Sequence, residues 1–561
     1  MTSKLKYALI LGLVSTTSLT SFASTNPTSM PVTHSNVNNA MDVNKGIKEI
    51  KTSNIKALKS HIHHKAKHIP HFKPFLIKRL TITLNGAETN LESAYNDYVD
   101  QRMTQEALTK LNEEITNYYI KHDYLMPRIE VSKHAMKSGV LLINVVPANI
   151  DNVVIVGEGE NNKLIREYAE KILNEKPAKV ANTQRYLALM NKLPGYEAHY
   201  QLKQEKDTVD LVVYTTKKKW SAYMGVDNYG LSDLGKYQAS ALAQAYSPFG
   251  GNESLLVHGS TTDHPNRLND IGVGYSQPLN AYGTSAHLFA ARSEDNATKK
   301  DVISAKNNSG YSFRLALTHH LILKANEDLE AEAGAAYKNS STYKVENDVS
   351  TQHKSSKYWA GDLGLKYLVK DQINGRNLFH MSYVQGLSGT FKNYLADESL
   401  ANKHYSVGRF NFYREQPLKH DFSIFSHLAA SYSGDNLPDS EKAILGGRDF
   451  GRGYDFGTLD GTKLIALSLE VRYTKKIEEN KFIEHVQPYI FHDMGHVGKQ
   501  ASNTNISTLK SAGLGVRFRL DYGIDLGAEA AQPFKKNYTV DGTDIKAKTK
   551  YSFFVNKVFE F

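Results

Sequence analysis

The sequence has no cysteine and only 2 tryptophans. It has no long apolar run after the short one at residues 7–14. An exported chain without cysteine cannot use disulfides, so packing and hydrogen-bonded sheet must supply its stability. A transmembrane helix needs roughly 20 consecutive apolar residues. The sequence therefore excludes an α-helical membrane protein.

The first residues have the pattern of an export signal. Lys4 and Lys6 precede an apolar run at residues 7–14, and Ser21-Phe22-Ala23 resembles a signal-peptidase site. An apolar run this short, after basic residues and before small ones, is typical of a secretory signal peptide. We therefore expect residues 1–23 to be a signal peptide and the mature chain to be exported.

The aromatic composition indicates where an exported chain would reside. The chain has 33 tyrosines, 22 phenylalanines and 38 glycines. Outer-membrane β-barrels carry girdles of amphipathic rings at both membrane surfaces. The composition is therefore typical of a β-barrel in the outer membrane of a Gram-negative bacterium.

The charge is one-sided. The net charge is +10, and much of the excess lies between residues 45 and 79. A basic patch can bind nucleic acid, but an exported chain meets little of it. We therefore expect outer-membrane lipid or a secreted protein as the partner, and no nucleic acid.

Residues 24–74 combine an amphipathic pattern with a histidine-rich run. Apolar residues between 43 and 62 fall on one broad face, which suits either a helix that plugs a pore or a disordered tether. The sequence leaves both alternatives open. His64 and His68 have helical spacing, but the neighbours are lysines and not carboxylates. This composition favours a basic linker over a metal site, and we expect no cofactor.

Residues 75–148 have the pattern of one small α/β domain. Leu80, Ile82 and Leu84 alternate as in a strand, and apolar residues between 108 and 118 then recur as on one face of a helix. Strand-like runs follow at 128–132 and 139–146. Together they predict a β-α-β-β unit.

Residues 149–216 form a second such unit. It has a strand at 153–156, helical segments around 164–173 and 183–193, and strands around 196–202 and 209–214. Two tandem units of about 75 residues each fit normal domain sizes.

From residue 217 to the end, segments of about 10 alternating residues are separated by turns, which is the pattern of a transmembrane barrel. We identify seven turn-like breaks, at 248–250, 277–279, 324–326, 374–375, 416–417, 478–480 and 532–533. If these breaks are the periplasmic turns, and both ends of the barrel lie in the periplasm, the barrel has about 16 strands.

The final segment is predicted to be the closing strand. Tyr551, Phe553, Val555, Phe559 and Phe561 lie on one face at period two. A soluble edge strand with this aromatic ribbon would be prone to aggregation, whereas a barrel strand turns such a face to lipid.

Short motifs at several separate places match one known family. They are Asn191-Lys192-Leu193-Pro194-Gly195, residues 225–230 (GVDNYG), 247–252 (SPFGGN), 275–279 (YSQPL), 446–454 (GGRDFGRGY) and 491–495 (FHDMG). Over residues 75–561 the chain resembles the TpsB family, the two-partner secretion translocators of the ShlB/FhaC/HecB type. The resemblance implies a plug helix, POTRA domains at 75–148 and 149–216, and a 16-stranded transmembrane β-barrel at 217–561.

The most specific motif ends in Arg452-Gly453-Tyr454. It resembles the tip of the sixth extracellular loop of this superfamily, which folds back into the lumen. Its usual partner is the aspartate of a Phe-x-Asp-x-Gly strand motif, matched here by Phe491, Asp493 and Gly495. The resemblance implies a loop anchor or gate formed by these six residues. Gly451 stands where many relatives have valine, a difference that bears on the shape of the loop.

The chemistry of an arginine and a carboxylate suits such an anchor. Arg452 offers a planar fork of donors that can hold Asp493 at two points. Loss of one partner from a dry site would cost about 3 to 5 kcal/mol. Gly453 is expected to allow a backbone geometry closed to other residues. The alternative is a flexible glycine-rich external loop with incidental charges; a phosphate-binding loop is disfavoured because no Gly-Lys-Ser/Thr follows.

The function implied by the resemblance is export of an unfolded TpsA-like exoprotein, captured by periplasmic POTRA domains, through a monomeric barrel that is not an enzyme. A barrel-assembly insertase shares the loop motif, but the best-known insertases carry longer POTRA arrays. A barrel-anchored enzyme is disfavoured because the sequence has no Gly-x-Ser-x-Gly or His-Glu-x-x-His motif. A simple porin would leave residues 75–215 unexplained.

Overall fold

The computed structural model describes residues 72–132, 136, 138–205, 208–230, 234–296, 305–346, 349–394, 401–477, 482–500, 506–540 and 543–561. The expected signal peptide, the plug or linker up to residue 71, all five histidines between 61 and 71, and the break at 478–480 lie outside these residues. Among the described helices, none is long and apolar enough to span a membrane.

The first domain is a four-stranded sheet covered by a helix. Its elements are β1 (Phe75–Leu76), β2 (Arg79–Leu84), β3 (Ala87–Glu88), a 3-10 segment (Asn90–Tyr98), β4 (Arg102–Met103), α1 (Gln105–Lys121), β5 (Arg128–Val131) and β6 (Val140–Val146). The sheet order is β3-β2-β6-β5, with β2 and β6 parallel. β1 and β4 pair with each other in a separate two-stranded sheet. Thr104 caps α1 by accepting from the Ala107 amide. Leu108, Leu111 and Ile115 of α1 are fully buried against the sheet, as the helical repeat predicts.

The second domain has two helices on a three-stranded sheet. Its elements are β7 (Ile150–Gly157), α2 (Lys163–Leu173), α3 (Val180–Lys192), β8 (Tyr196–Glu205) and β9 (Thr208–Lys217), with the sheet order β7-β9-β8. Asn162 caps α2 by accepting from two backbone amides. Ile165, Tyr168 and Met190 form the core with Leu211 of β9.

Sixteen long strands in the described part of the chain close into an antiparallel barrel, as predicted. They are β10 (Trp220–Asp227), β11 (Gln238–Tyr246), β12 (Ser254–Thr262), β13 (Leu268–Pro278), β14 (Thr284–Asn296), β15 (Ala305–Lys324), β16 (Glu327–Glu346), β17 (Val349–Lys370), β18 (Arg376–Asn393), β19 (Ser406–Pro417), β20 (Phe422–Tyr432), β22 (Leu459–Tyr473), β24 (Ile483–Gln500), β25 (Thr508–Leu520), β26 (Ile524–Pro533) and β29 (Lys550–Glu560). Short strands β21 (Ala443–Leu445), β23 (Lys475–Lys476), β27 (Asn537–Val540) and β28 (Thr543–Lys546) accompany them. The barrel closes where β10 pairs with β29.

The strands alternate between an apolar outside and a polar lumen. On β22, Leu469 and Val471 are exposed on the outer surface, whereas Ser468, Glu470 and Arg472 are buried on the inner face. Side chains of a strand point alternately to its two faces. A closed cylinder also satisfies every main-chain polar group of the wall without water. The pattern is therefore that of a barrel embedded in lipid.

One predicted turn is wrong. The rim that carries the two domains, here called the near rim, has its last turn at Asp521–Gly523. Gln532-Pro533 instead ends β26 at the opposite, far rim. Proline breaks a strand at either rim because it lacks an amide donor, so it does not tell which rim is involved. The turn at Asp521–Gly523 places Tyr522 and Gly523 at φ of 65° and 72°. Of these two residues, only Gly523 readily adopts a positive φ.

The second domain is fixed to the near rim. Arg185 of α3 donates to the carbonyl oxygens of Tyr282 and His320, at 2.8 and 2.7 Å. Lys192 forms an ion pair with Asp328 of β16 at 2.8 Å. Ala281 and Leu323 of the barrel also belong to the buried core of this domain. The domain therefore packs on the barrel and is not merely linked to it.

Candidate functional site

The loop between β20 and β22, residues 433–458, folds inward and is called the lumen loop here. Its strand β21 pairs with β22, and Gly446 donates its amide to the Phe450 carbonyl at 3.0 Å. Leu445, Phe450 and Tyr454 are buried with Leu509 of the wall. A flexible external loop would leave these side chains in water, so the structure disfavours that alternative.

Arg452 and Asp493 are in direct contact. The backbone amide and Nε of Arg452 each donate to Oδ2 of Asp493 at 3.0 Å, and Nη2 donates to Oδ1 at 2.8 Å. Arg452 is 6% exposed and Asp493 is fully buried. A bidentate, charge-assisted contact of this kind is strong and strictly directional. The lumen loop is thus held to β24 by both its backbone and its side chain.

Two further carboxylates, which sequence reasoning missed, complete the site. Nη1 of Arg452 donates to Glu470 of β22 at 2.7 Å and lies 3.6 Å from Glu529 of β26. Glu470 also pairs with Arg472 and Arg517. Three guanidinium groups and three carboxylates therefore balance one another. The sequence signal for Glu470 was the alternation of polar Ser468, Glu470 and Arg472 with apolar residues in the second half of β22.

Phe491 and Gly495 of β24 support the anchor in two different ways. The guanidinium carbon of Arg452 lies 3.4 Å from the Phe491 ring centroid, a cation–π contact that adds to the ion pairs. A Cβ on Gly495 would lie only 2.5 Å from Leu445 Cδ1. The glycine therefore leaves room for β21 of the lumen loop to pack on β24.

The expectation for Gly453 is wrong in its reason. The left-handed backbone occurs at Gly451, with φ of 81°, and not at Gly453. A Cβ on Gly453 would instead lie 2.7 Å from the backbone nitrogen of Pro533, so Gly453 permits close approach of two backbones. A valine at position 451 would be strained in this loop.

Tyr454 joins the loop to its neighbours. Its hydroxyl donates to the Lys510 carbonyl of β25 and accepts from the Lys535 amide, both at 3.1 Å. Lys550 of β29 forms an ion pair with the adjacent Asp455 at 2.7 Å. The three residues of the Arg452-Gly453-Tyr454 motif thus contact different parts of the wall.

Comparison with known families agrees with this geometry. The family model described as "Haemolysin secretion/activation protein ShlB/FhaC/HecB" matches residues 207–518, and "POTRA domain, ShlB-type" matches residues 80–148. The chain belongs to the ShlB/FhaC/HecB family. Its barrel therefore lies in the outer membrane, with the near rim in the periplasm and the far rim outside the cell. The lumen loop is the sixth loop of the far rim.

The individual relatives have low sequence identity to this chain, but the similarity extends over most of its length. The heme/hemopexin transporter protein HuxB of Haemophilus influenzae is 22% identical, over 79% of this chain and 80% of its own. The hemolysin transporter protein HpmB of Proteus mirabilis is 22% identical, over 81% and 82%. The structure of CdiB from Escherichia coli is 17% identical, with a TM-score of 0.67 over 93% of this chain and 98% of its own. The likeness to CdiB shows the fold.

Proposed function

We propose that this chain captures an unfolded partner exoprotein in the periplasm and exports it through its barrel, as the outer-membrane component of a two-partner secretion system. The observation that carries the proposal is the contact of Arg452 with Asp493, which holds the lumen loop inside a closed barrel of this family. HuxB and HpmB, by their names, are transporters of heme/hemopexin and of hemolysin. The client is by analogy a secreted protein.

The two periplasmic domains would be the receptor. We assign the first POTRA domain to residues 75–148 and a second to 149–216, before a barrel at 217–561 and after a signal peptide at 1–23 and a plug or linker at 24–74. β8 is an edge strand in the sheet order of the second domain, and β5 is one in the first. A client segment that adds a strand to such an edge gains main-chain hydrogen bonds, which accept many sequences.

The barrel would work as a monomer in outer-membrane lipid, without a cofactor and without enzymatic activity. Folding of the client outside the cell would drive transport, because it removes the emerged chain from the equilibrium. The lumen loop would have to leave its wall contacts, at least in part, to let the client pass.

Export can be tested with the client encoded beside this chain. We expect the client in the culture medium when the full chain is present, and its loss to the periplasm when residues 75–215 are deleted. A client that reaches the medium equally well without the chain would contradict the proposal. Assembly of other outer-membrane proteins provides the control: a fall in their amounts on depletion of this chain would instead indicate an insertase.

A further inference from the structure

A second buried charge cluster holds the lumen loop at a point before Arg452. Glu441 is only 2% exposed. Its Oε1 accepts from Lys338 Nζ at 2.7 Å and from the Tyr358 hydroxyl at 3.1 Å, and its Oε2 accepts from Arg409 Nη2 at 2.7 Å. Arg409 also donates to the Glu441 backbone carbonyl at 3.0 Å. Both oxygens of this carboxylate are therefore used, and the backbone is held as well.

The partners of Glu441 belong to a different part of the wall from those of Arg452. Lys338, Tyr358 and Arg409 lie on β16, β17 and β19. The carboxylates around Arg452 lie on β22, β24 and β26, and β20 separates the two groups in the barrel order. The two clusters share no partner residue in these contacts.

Apolar packing supports the Glu441 contact. Leu437, which precedes Glu441 in the lumen loop, is buried with Tyr358, Val384 and Val407 of the wall and with Tyr405, which directly precedes β19. The Ser440 and Tyr358 hydroxyls are also hydrogen-bonded. Removal of the carboxylate would leave Lys338 and Arg409 without their shared counter-charge in a largely dry site, which is strongly unfavourable.

The loop continues from this cluster around the lumen. After Glu441 it forms β21, then turns Arg448 toward Tyr229 and Phe554, with the guanidinium carbon 4.7 and 5.4 Å from the ring centroids. It then reaches Asp493 through Arg452. Contacts thus run from β16 past β24 to β29, so the loop is a strap across the lumen and not a hairpin fixed only at its tip.

We propose that Glu441 is a second anchor of the lumen loop, independent of Arg452, and that the pore opens fully only when both anchors are released. Each anchor limits the movement of the chain on its own side, so release of one leaves the other side of the loop in place. Glu441 is a positioning residue because it acts by holding the loop. The inference builds on the proposed translocation but can be tested without a client.

Ion conductance through the full chain in planar lipid bilayers tests this inference. We would compare Glu441→Gln, Arg452→Ala and the double variant with the unchanged chain. The matched control is Glu415→Gln, which removes a buried wall carboxylate of β19 whose ion pair is with Arg376 of β18. We expect each single variant to raise the open fraction a few-fold, the double variant to raise it at least tenfold, and the control to leave it unchanged.

Equal conductance of the double variant and of Arg452→Ala would overturn the inference. A difference in gel migration between unheated and heated protein verifies that each barrel is folded. Lys338→Gln gives a second test for a variant that folds poorly. If Glu441 acts through Lys338, then Lys338→Gln should raise the open fraction of the Arg452→Ala variant. It should raise the open fraction little further in a variant that already carries Glu441→Gln. Full additivity of Lys338→Gln and Glu441→Gln would contradict the contact. Failure of export with normal gating would count against the proposed function alone.

Discussion

Trp220 stacks on the terminal Phe561, with ring centroids 4.1 Å apart and an angle of 19° between the planes. The two residues also exchange backbone hydrogen bonds of 3.2 and 3.1 Å. This contact lies at the periplasmic end of the seam between β10 and β29. Phe561 is therefore part of the closure of the barrel.

Phe561→Ala should weaken this closure. Loss of the aromatic contact is expected to cost about 1 kcal/mol, because the ring is half exposed and part of its apolar surface stays in lipid. Denaturant unfolding of the barrel in lipid vesicles measures the loss. Tyr551→Ala, on the same outward face of β29 but at the far rim, is the control, and an equal loss there would contradict a special role for the seam.

Arg452→Ala should sharply lower export while the barrel remains inserted. The substitution removes the side-chain contacts to Asp493, Glu470 and Glu529, keeps the backbone amide contact to Asp493, and leaves three buried carboxylates with less counter-charge, a loss of about 3 to 5 kcal/mol at a dry site. Client in the medium and heat-modifiable mobility of the barrel measure the two effects. Arg452→Lys, which keeps the charge but not the fork, should restore only part of the export. Normal export by Arg452→Ala would remove the anchor from the mechanism.

The contact of Arg452 with Asp493 also predicts coupling between substitutions. Arg452→Ala and Asp493→Ala should be non-additive, with a coupling free energy of about 1 to 3 kcal/mol in loop stability. Protease cleavage within the lumen loop of the folded barrel reports its release. Exchange of the two residues should recover only part of the function, since an aspartate at 452 would face Glu470 and Glu529. Strict additivity would argue against direct contact.

The sequence predicted the barrel from period-two alternation, which is set by the geometry of a strand. The pairing of Arg452 with Asp493 was implied by the resemblance to the TpsB family, which rests on one loop motif and one strand motif that are short continuous runs. The partners of Glu470 and Glu441 were not predictable in this way, because Arg517, Lys338 and Arg409 come from strands far apart in sequence. Closure and strand register bring them together, and neither is encoded in any single segment.

The fixed position of the second domain depends on Arg185. Arg185→Ala removes three hydrogen bonds to barrel carbonyls, those of Tyr282, His320 and Leu321, and should loosen the docking by about 1 to 2 kcal/mol. Spin-label distances between the domain and the barrel should then broaden, and because the chain has no native cysteine, labels can be placed freely. Arg166→Ala, on α2, is the control, since Arg166 bonds within its own domain. Unchanged distances in Arg185→Ala would show that other contacts suffice.

The Glu441 anchor should be insensitive to moderate acid. Burial raises the pKa of Glu441, but Lys338 and Arg409 lower it, to about 2, and the neutral hydroxyls of Tyr358 and Tyr405 are further neighbours. A carboxylate with a lowered pKa stabilises the anchored loop at pH values above the ordinary glutamate pKa, and this effect is lost progressively as the pH falls from that value toward 2. Between pH 7 and pH 5, the conductance of Arg452→Ala should therefore stay constant. An opening in that range that is absent when Glu441→Gln is added would show that Glu441 is being protonated. Such an opening would contradict the geometry of this anchor.

The pairing of β10 with β29, the seam of the barrel, determines the order in which parts of this protein can fold. Tyr223 and Asn556, which meet across it, are 333 residues apart in sequence, and contacts between such distant parts of a chain form slowly. The residues that receive Arg452 and Tyr454 also come later in the chain than the loop itself. A newly inserted molecule must therefore form its last hairpins before the lumen loop can bind to the wall. Until then, the lumen is an open pore through the outer membrane.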